Sequence, residues 1–252
     1  SALLLCPTLF RAGKRFAKGD RESAHPENSQ RKPLEHCQKC QDPRHRSHDS
    51  LQQNQTLQYS ETRLIDSGEY RIAISPIGNI ESSLTDSIGR EVQRIFGYRT
   101  EVVSLIAQLD FALNFDRQQY YSTMILEKLA AKASARAVKL LGITTVDLFI
   151  PILTYVYGEA QIGGKACIIS TCRLSEGISS SGSGQRFNDR AVKEALHELG
   201  HTFKLRHCPE RSCIMHYCRS IQDVDRKSDQ LCLHCRILLE DELKRLEKEG
   251  RG

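Results

Sequence analysis

Apolar and polar positions divide the chain into a polar N-terminal quarter and a longer part with regular periodicity. From Gly19 to about Glu61 large apolar side chains are few. Such a stretch cannot bury enough surface to offset the conformational entropy that it would lose on ordering. We therefore predict a disordered extension over residues 1–64 and one folded domain over residues 65–252.

The first half of the predicted domain alternates between the periods of a strand and of a helix. Residues 70–77 and 100–107 are strand-like, and residues 80–96 between them repeat apolar positions at helical spacing before Gly97. A run rich in Ala, Lys and Leu predicts a long helix over residues 116–141. Further strands are predicted at residues 144–150, 152–157 and 165–171. This order favours a mixed α/β (α+β) fold, in which helices back a mostly parallel sheet.

Two amphipathic helices are predicted in the C-terminal part of the domain. Asn188 is the predicted N-cap of the first helix, which follows a Gly- and Ser-rich loop over residues 176–188. Its apolar stripe is formed by Ala191, Val192, Ala195, Leu196, Leu199 and Phe203. The second helix covers residues 235–248 and carries leucines along one face.

The first of these helices carries a candidate metal site. His197 and His201 stand four residues apart, so they share one face of the helix and can bind the same ion. His207 can supply a third nitrogen if the helix ends soon after His201, and Glu198 can then act as a general base on zinc-bound water. A His-Glu-x-x-His match alone turns up in roughly one chain in a hundred of this length. The third histidine and Met215 beyond it make coincidence far less probable.

Four cysteines follow the histidines in two closely spaced pairs. Cys208 and Cys213 form one pair, and Cys232 and Cys235 form the other, which is the spacing of a closed Cys₄ zinc site. Buried free thiols or disulfides are the alternatives, and the two short spacings together favour metal. His234 precedes Cys235 directly and so points away from it, which predicts an exposed imidazole.

These residues resemble the signature of the archaemetzincins, zinc-dependent metallopeptidases of the metzincin clan. The resemblance covers roughly residues 66–245 and continues upstream in Asp147 to Pro151, Tyr157 to Ala160 and Gly163 to Lys165. It implies a metzincin-like domain with a catalytic zinc on the three histidines. It further implies a structural zinc on the four cysteines, within a small C-terminal subdomain, and Met215 as an apolar floor beneath the catalytic metal.

One position departs from the metzincin pattern. Three residues after the second histidine, where metzincins place a glycine, this chain has Lys204. The glycine permits the positive φ at which the helix stops and reverses. A lysine in that conformation costs on the order of 1 kcal/mol, less than a zinc site contributes. The departure leaves open a variant in which His207 swings free of the metal.

Charge and cysteine usage restrict the partners and the compartment. The net charge of +5 is small for 252 residues, and the basic residues are spread along the chain, which argues against nucleic acid as a partner. The six cysteines outside the metal pattern show no disulfide framework, so we predict a cytoplasmic location, with the nucleus also compatible. The apolar residues 2–10 are too short to span a membrane. Cys37 and Cys40 could belong to a zinc knuckle, but a polar tail is the preferred interpretation.

The sequence thus predicts a monomeric zinc metallopeptidase that acts on peptides or proteins, with a slight preference for short peptides and aminopeptidase-like cleavage. A zinc-stabilised homologue that binds peptides without cleaving them is the alternative. Lys204, which replaces the glycine of the metzincin pattern, is the residue that favours this alternative. A zinc module for nucleic acid is disfavoured, because acidic residues surround Cys232 and Cys235. Residues 165–172 are either an edge strand that pairs with substrate or an ordinary core strand.

Overall fold

A computed structural model describes residues 70–178 and 183–250. The predicted extension over residues 1–64, with Cys37 and Cys40, lies outside the described residues. The elements follow one another as β1 (Arg71–Ile77), α1 (Ser82–Phe96), β2 (Thr100–Val102), a short 3-10 turn (Asp110–Ala112), β3 (Leu113–Asn114), β4 (Gln119–Tyr121), α2 (Ser122–Lys132), β5 (Ala137–Thr144), β6 (Leu148–Phe149), β7 (Gly158–Ala160), β8 (Ala166–Ser170), α3 (Ser183–Thr202), α4 (Ile221–Arg226) and α5 (Leu233–Lys248).

A five-stranded sheet forms the centre of the fold, in the order β2-β1-β5-β8-β7. Its first four strands are parallel, and β7 is antiparallel to β8 at the edge. The small sheet β3-β4-β6 stands apart from it. This arrangement confirms the predicted mixed α/β fold with a mostly parallel sheet.

Helices cover both faces of the central sheet. Ile72 and Ile74 of β1 point into a core shared with α1, α3 and α5, whereas Ala73 and Ile77 point into a second core shared with α2. All eight residues of β5 are buried, as expected for a strand with helices on both sides. The first of these cores packs α3 against the sheet.

The predicted helix over residues 116–141 is wrong. The run contains β4, the helix α2 and most of β5. A strand that is buried on both faces shows no alternation of polar residues, so its apolar run looks continuous with the preceding helix. Gly142, the residue directly after the predicted helix, lies inside β5.

Several other predicted boundaries differ from the structure. The strand predicted over residues 100–107 ends at Val102. Thr144 is the last residue of β5, and residues 145–157 hold the short strand β6 and an isolated bridge from Val156 to Leu148. Helix α3 begins at Ser183, so Asn188 is not its N-cap. The helices ending at Phe96 and Lys248 and the strand β8 confirm their predictions, and Gly97 ends α1 at a φ of 79°.

The edge-strand hypothesis for residues 165–172 is also wrong. Strand β8 lies between β5 and β7, so both of its sides are already paired. The edge strand beside it is β7, which has only three residues. The core-strand interpretation of residues 165–172 is therefore the correct one.

Candidate active site

The helix α3 presents His197, Glu198 and His201 and ends one residue later, at Thr202. The backbone N–H of Leu205 donates to the carbonyl of Gly200, and that of Lys204 donates to the carbonyl of His201, at 3.0 Å each. This pair of hydrogen bonds is a Schellman motif, which requires a left-handed residue after the helix. Lys204 takes that conformation, with a φ of 66°, as the sequence predicted.

Contacts from two other elements support the strained lysine. Its ammonium pairs with Glu242 of α5 at 3.2 Å, and its aliphatic stem packs over Gly163, whose missing side chain leaves the space. The N–H of Gly163 donates to the carbonyl of His201 at 2.9 Å. The reversal that brings His207 back to the helix thus forms without a glycine at position 204.

The three imidazoles converge. One ring nitrogen from each of His197, His201 and His207 lies within 4.8 Å of the other two. The Nδ1 atoms of His197 and His201 lie 2.8 Å from the carbonyl oxygens of Ile214 and Leu205. A carbonyl cannot donate, so each Nδ1 carries the proton and each Nε2 presents a lone pair.

These two lone pairs face each other at an Nε2–Nε2 distance of 3.1 Å. Two acceptors at that distance repel unless a cation lies between them. Tetrahedral zinc, with Zn–N bonds of about 2.0–2.1 Å, sets its nitrogen ligands roughly 3.3 Å apart. The donor set therefore fits zinc, and the carbonyls that orient the rings are the partners that zinc-binding histidines ordinarily have.

The electrostatics favour neutral imidazoles. Burial lowers the pKa of His197 well below its ordinary value and lowers the pKa of His201 to about 4. Burial also lowers the pKa of His207, although that ring is exposed on one side. Neutral imidazoles are the form that binds metal. The exposed side of His207 marks the direction from which a substrate can approach.

Glu198 lies beside the edge strand, in contact with Gly158. A Cβ on Gly158 would stand 2.6 Å from the Cγ of Glu198 and 2.7 Å from the carbonyl oxygen of Ile168. Only glycine leaves room for the carboxylate side chain here. Burial, followed by the neighbouring charge of Glu194, raises the pKa of Glu198 well above its ordinary value.

Met215 is fully buried against the catalytic helix. A Cβ on Gly200, between the two histidines, would lie 2.4 Å from the Sδ of Met215. Tyr217 follows two residues later, and the centre of its ring lies 4.9 Å from that of His207. The contacts of Gly158, Gly200 and Tyr217 were not anticipated from the sequence.

The sequence also gave no sign of a buried ion pair behind the histidines. The Nζ of Lys227 lies 2.8 Å from Glu194, and the side chain of Lys227 is completely buried. Burial alone would lower the pKa of Lys227, but the charge of Glu194 raises it above the ordinary value. Glu194 precedes Glu198 by one helical turn on α3. The interior next to Glu198 therefore holds a compensated pair of charges.

The four cysteines of the second predicted site also converge. The Sγ atoms of Cys208, Cys213, Cys232 and Cys235 all lie within 4.8 Å of one another. Cys208 and Cys232 have their sulfurs 3.7 Å apart, far beyond a disulfide bond. Zinc with Zn–S bonds of about 2.3 Å sets its thiolates roughly 3.8 Å apart, so the cluster fits a tetrahedral ion. His234 is exposed, as predicted.

The metzincin class of zinc peptidases is defined by three features that this site combines: a His-Glu-x-x-His helix, a third histidine after a reversing turn, and a buried methionine next to the helix. The chain belongs to peptidase family M54, whose family model matches residues 72–241. It is 35% identical over 172 residues to the archaemetzincin of Methanocaldococcus jannaschii, a match that covers 68% of this chain and 93% of the relative.

Solved structures of an archaemetzincin and of a zinc-dependent peptidase are also similar to this chain. The crystal structure of the archaemetzincin from Methanopyrus kandleri is 32% identical, covers 72% of this chain and 100% of its own, and superposes with a TM-score of 0.64. A zinc-dependent peptidase from Methanocorpusculum labreanum is 25% identical, covers 67% of this chain and 99% of its own, and has a TM-score of 0.60. The resemblance to the archaemetzincins is confirmed.

The chain is therefore a zinc metallopeptidase, whose substrates are peptides or proteins. Within the residues that the structure describes, no helix is both long and apolar enough to cross a membrane.

Proposed function

We propose that the chain hydrolyses peptide bonds at a zinc ion held by His197, His201 and His207, with Glu198 as the general base. The observation that carries the proposal is the 3.1 Å separation of two Nε2 lone pairs whose Nδ1 atoms are both committed to carbonyls. A bound zinc ion supplies a nucleophilic water at neutral pH and polarises the scissile carbonyl. The chain's own residues orient the ligands and move the proton.

Glu198 accepts the proton of the attacking water and passes it to the leaving amine. Its carboxylate is buried against Gly158, and its raised pKa suits a group that must hold a proton between two steps. The three neutral imidazoles add no charge of their own to the site. Acid and base work therefore falls to a single carboxyl group.

The substrate lies along the free edge of β7. The N–H of Ser170 donates to the carbonyl of Tyr157 at 2.7 Å, and the N–H of Gln161 donates to the carbonyl of Ala166 at 3.0 Å. In an antiparallel ladder, hydrogen-bonded pairs alternate with pairs whose N–H and C=O groups point away from the partner strand. Gly158 and Ala160 belong to pairs of the second kind. An extended peptide adds to the sheet through them, next to Glu198.

A three-residue edge strand offers pairing groups for only a short stretch of substrate. Short peptides are therefore the proposed substrates, cleaved in the manner of an aminopeptidase. The comparison of a free and an acetylated N-terminus on the same short peptide tests this part. Equal cleavage of both forms would show that a free amine is not recognised.

A second zinc ion is proposed on Cys208, Cys213, Cys232 and Cys235, where it stabilises the chain between α3 and α5. The convergence of the four sulfurs supports it, because their separations are compatible with four thiolates around one tetrahedral zinc ion. The chain then carries one catalytic and one structural ion.

The test compares wild type with Glu198→Gln on a library of short peptides, with zinc content measured in parallel. We expect Glu198→Gln to keep its zinc and to lose at least 10²-fold in turnover, the usual contribution of a general base. Glu127→Gln, which changes an exposed carboxylate on α2, is the matched control and should behave as wild type. Absent turnover in both wild type and Glu198→Gln, with peptides still bound, would support the peptide-binding alternative.

A further inference from the structure

The two proposed metal centres are adjacent along the chain. His207, the third ligand of one, is followed directly by Cys208, the first ligand of the other. Consecutive Cα atoms are about 3.8 Å apart, so the position of Cys208 restricts where the backbone of His207 can lie. His207 is exposed and follows a reversing turn, and its ring lies next to that of Tyr217, with 4.9 Å between the ring centres.

A second connection runs through the residues after Cys213. The carbonyl of Ile214 accepts from the Nδ1 of His197 at 2.8 Å, and the carbonyl of Met215 accepts from the N–H of Cys208 at 2.8 Å. The N–H of Ile214 donates in turn to the carbonyl of Gln230, two residues before Cys232. The backbone that orients His197 therefore belongs to the segment that the cysteines bring together.

No helix or strand covers the residues between the end of α3 and the start of α4. An isolated bridge joins Cys208 to His216 there, and the ring of His216 reaches the carbonyl of Cys208 at 3.0 Å. Short irregular segments of this kind depend on a few anchors for their conformation. The four sulfurs are the anchors that tie this segment to the start of α5.

We propose that the cysteine centre positions the ligands of the catalytic ion, so that metal bound by the cysteines raises the affinity of the histidines for zinc. The inference rests on the proposed function, because it takes both sets of residues as metal ligands. Such coupling is reciprocal, since each occupied centre stabilises the backbone arrangement that the other requires. Availability of metal at the cysteines then regulates the peptidase.

His201 provides an internal contrast. Its orienting carbonyl is that of Leu205, which lies in the reversing turn before either cysteine pair. The coupling therefore acts on His197 and His207 and leaves His201 in place. A chain with an empty cysteine centre keeps a weak, incompletely coordinated histidine site.

The test is Cys232→Ser in the full chain. Cys232 is only partly buried and comes from the distant segment before α5, so its loss weakens the cysteine centre without touching a histidine. Loss of an orienting partner typically lowers metal affinity 10–100-fold, which is the expected weakening at the histidines. Competition with a chelator at equilibrium measures it without any assay of activity. Cys172→Ser, at an exposed cysteine outside both centres, should match wild type.

Wild-type protein gives a second measurement if Cys232→Ser does not fold. Cobalt replaces zinc in both centres, and its thiolate charge-transfer band reports occupancy of the cysteines. An organomercurial then displaces cobalt from the thiolates, and competition with the chelator at equilibrium should afterwards show a 10–100-fold lower affinity for the remaining ion than in untreated protein. An unchanged affinity would overturn the coupling.

The variant His207→Ala distinguishes a failure of the coupling from a failure of the proposed function. If it lowers zinc content and Cys232→Ser leaves the histidine affinity unchanged, the centres are independent and only the coupling fails. If His207→Ala leaves zinc content at the wild-type value, His207 is not a ligand and the proposed three-histidine centre fails as well.

Discussion

The contact between Gly158 and Glu198 makes Gly158→Ala a sharp test of the proposed site. The new Cβ would stand 2.6 Å from the Cγ of Glu198 and 2.7 Å from the carbonyl oxygen of Ile168, whereas ordinary contacts begin at 3.4 Å. Either the carboxylate or the edge strand must move by roughly 0.8 Å to relieve the overlap. Both are parts of the proposed machinery, so either movement reduces catalysis.

The size of the effect follows from geometry. A misplacement of about 1 Å in a catalytic group costs on the order of 10²-fold in rate, or ~2.7 kcal/mol of transition-state stabilisation. Overpacking a core position destabilises a fold by about 1–3 kcal/mol. We expect kcat to fall about 10²-fold while zinc content stays unchanged, because the three atoms nearest the new Cβ belong to Glu198 and Ile168 and not to a histidine.

The assay measures kcat, KM, zinc content and Tm for each variant. Gly184→Ala is the matched control, since its Cβ would enter open space at the start of α3. A fall in kcat with KM unchanged points to Glu198, and a rise in KM points to displacement of β7. If Gly158→Ala folds, binds zinc and keeps wild-type kcat/KM, the proposed position of the base is wrong.

Three further predictions follow from the same region. Gly200→Ala places a Cβ 2.4 Å from the Sδ of Met215, so we expect a loss of about 1–3 kcal/mol in unfolding free energy together with weaker zinc binding; unchanged values of both would contradict the contact. Lys204→Gly should be about 1 kcal/mol more stable than Lys204→Ala in denaturant unfolding, because alanine keeps the strain of a positive φ that glycine lacks. The pKa of His201 falls from 6.5 to about 4 on folding, because the imidazole is buried. Between pH 4 and 6.5 the unfolded chain therefore binds a proton on His201 that the folded chain does not bind. Metal-free protein should therefore lose stability as pH falls from 6.5 towards 4, by on the order of 3 kcal/mol from this group, and a flat profile in thermal unfolding would refute it.

The candidate metal sites could be predicted because their spacing is local. His197 and His201 are one helical turn apart, and the two cysteine pairs span only a few residues each. Helical geometry alone brings the first two imidazoles together. His207 required a further inference about where the helix ends, and the Schellman motif at Lys204 shows the end that the sequence suggested.

The strands were less predictable, for a physical reason. A parallel strand covered on both faces needs no polar positions, so β5 has the composition of a buried helix. The edge strand β7 contains only Gly158, Glu159 and Ala160, which are poor strand formers by composition. The ladder with β8 and the hydrogen bonds from Ser122 and Thr123 to Glu159 fix β7 in place, and these hydrogen bonds are long-range contacts.

What escaped prediction at the active site is the space around the catalytic groups. Gly158 and Gly200 have no chemistry of their own, and each matters because an atom of Glu198 or Met215 occupies the place of its missing side chain. A glycine in a strand or helix signals close approach in general but does not identify the neighbour. The reacting groups can be read from residue type and spacing. Their alignment depends on which side chains are absent, and that information resides in the packing.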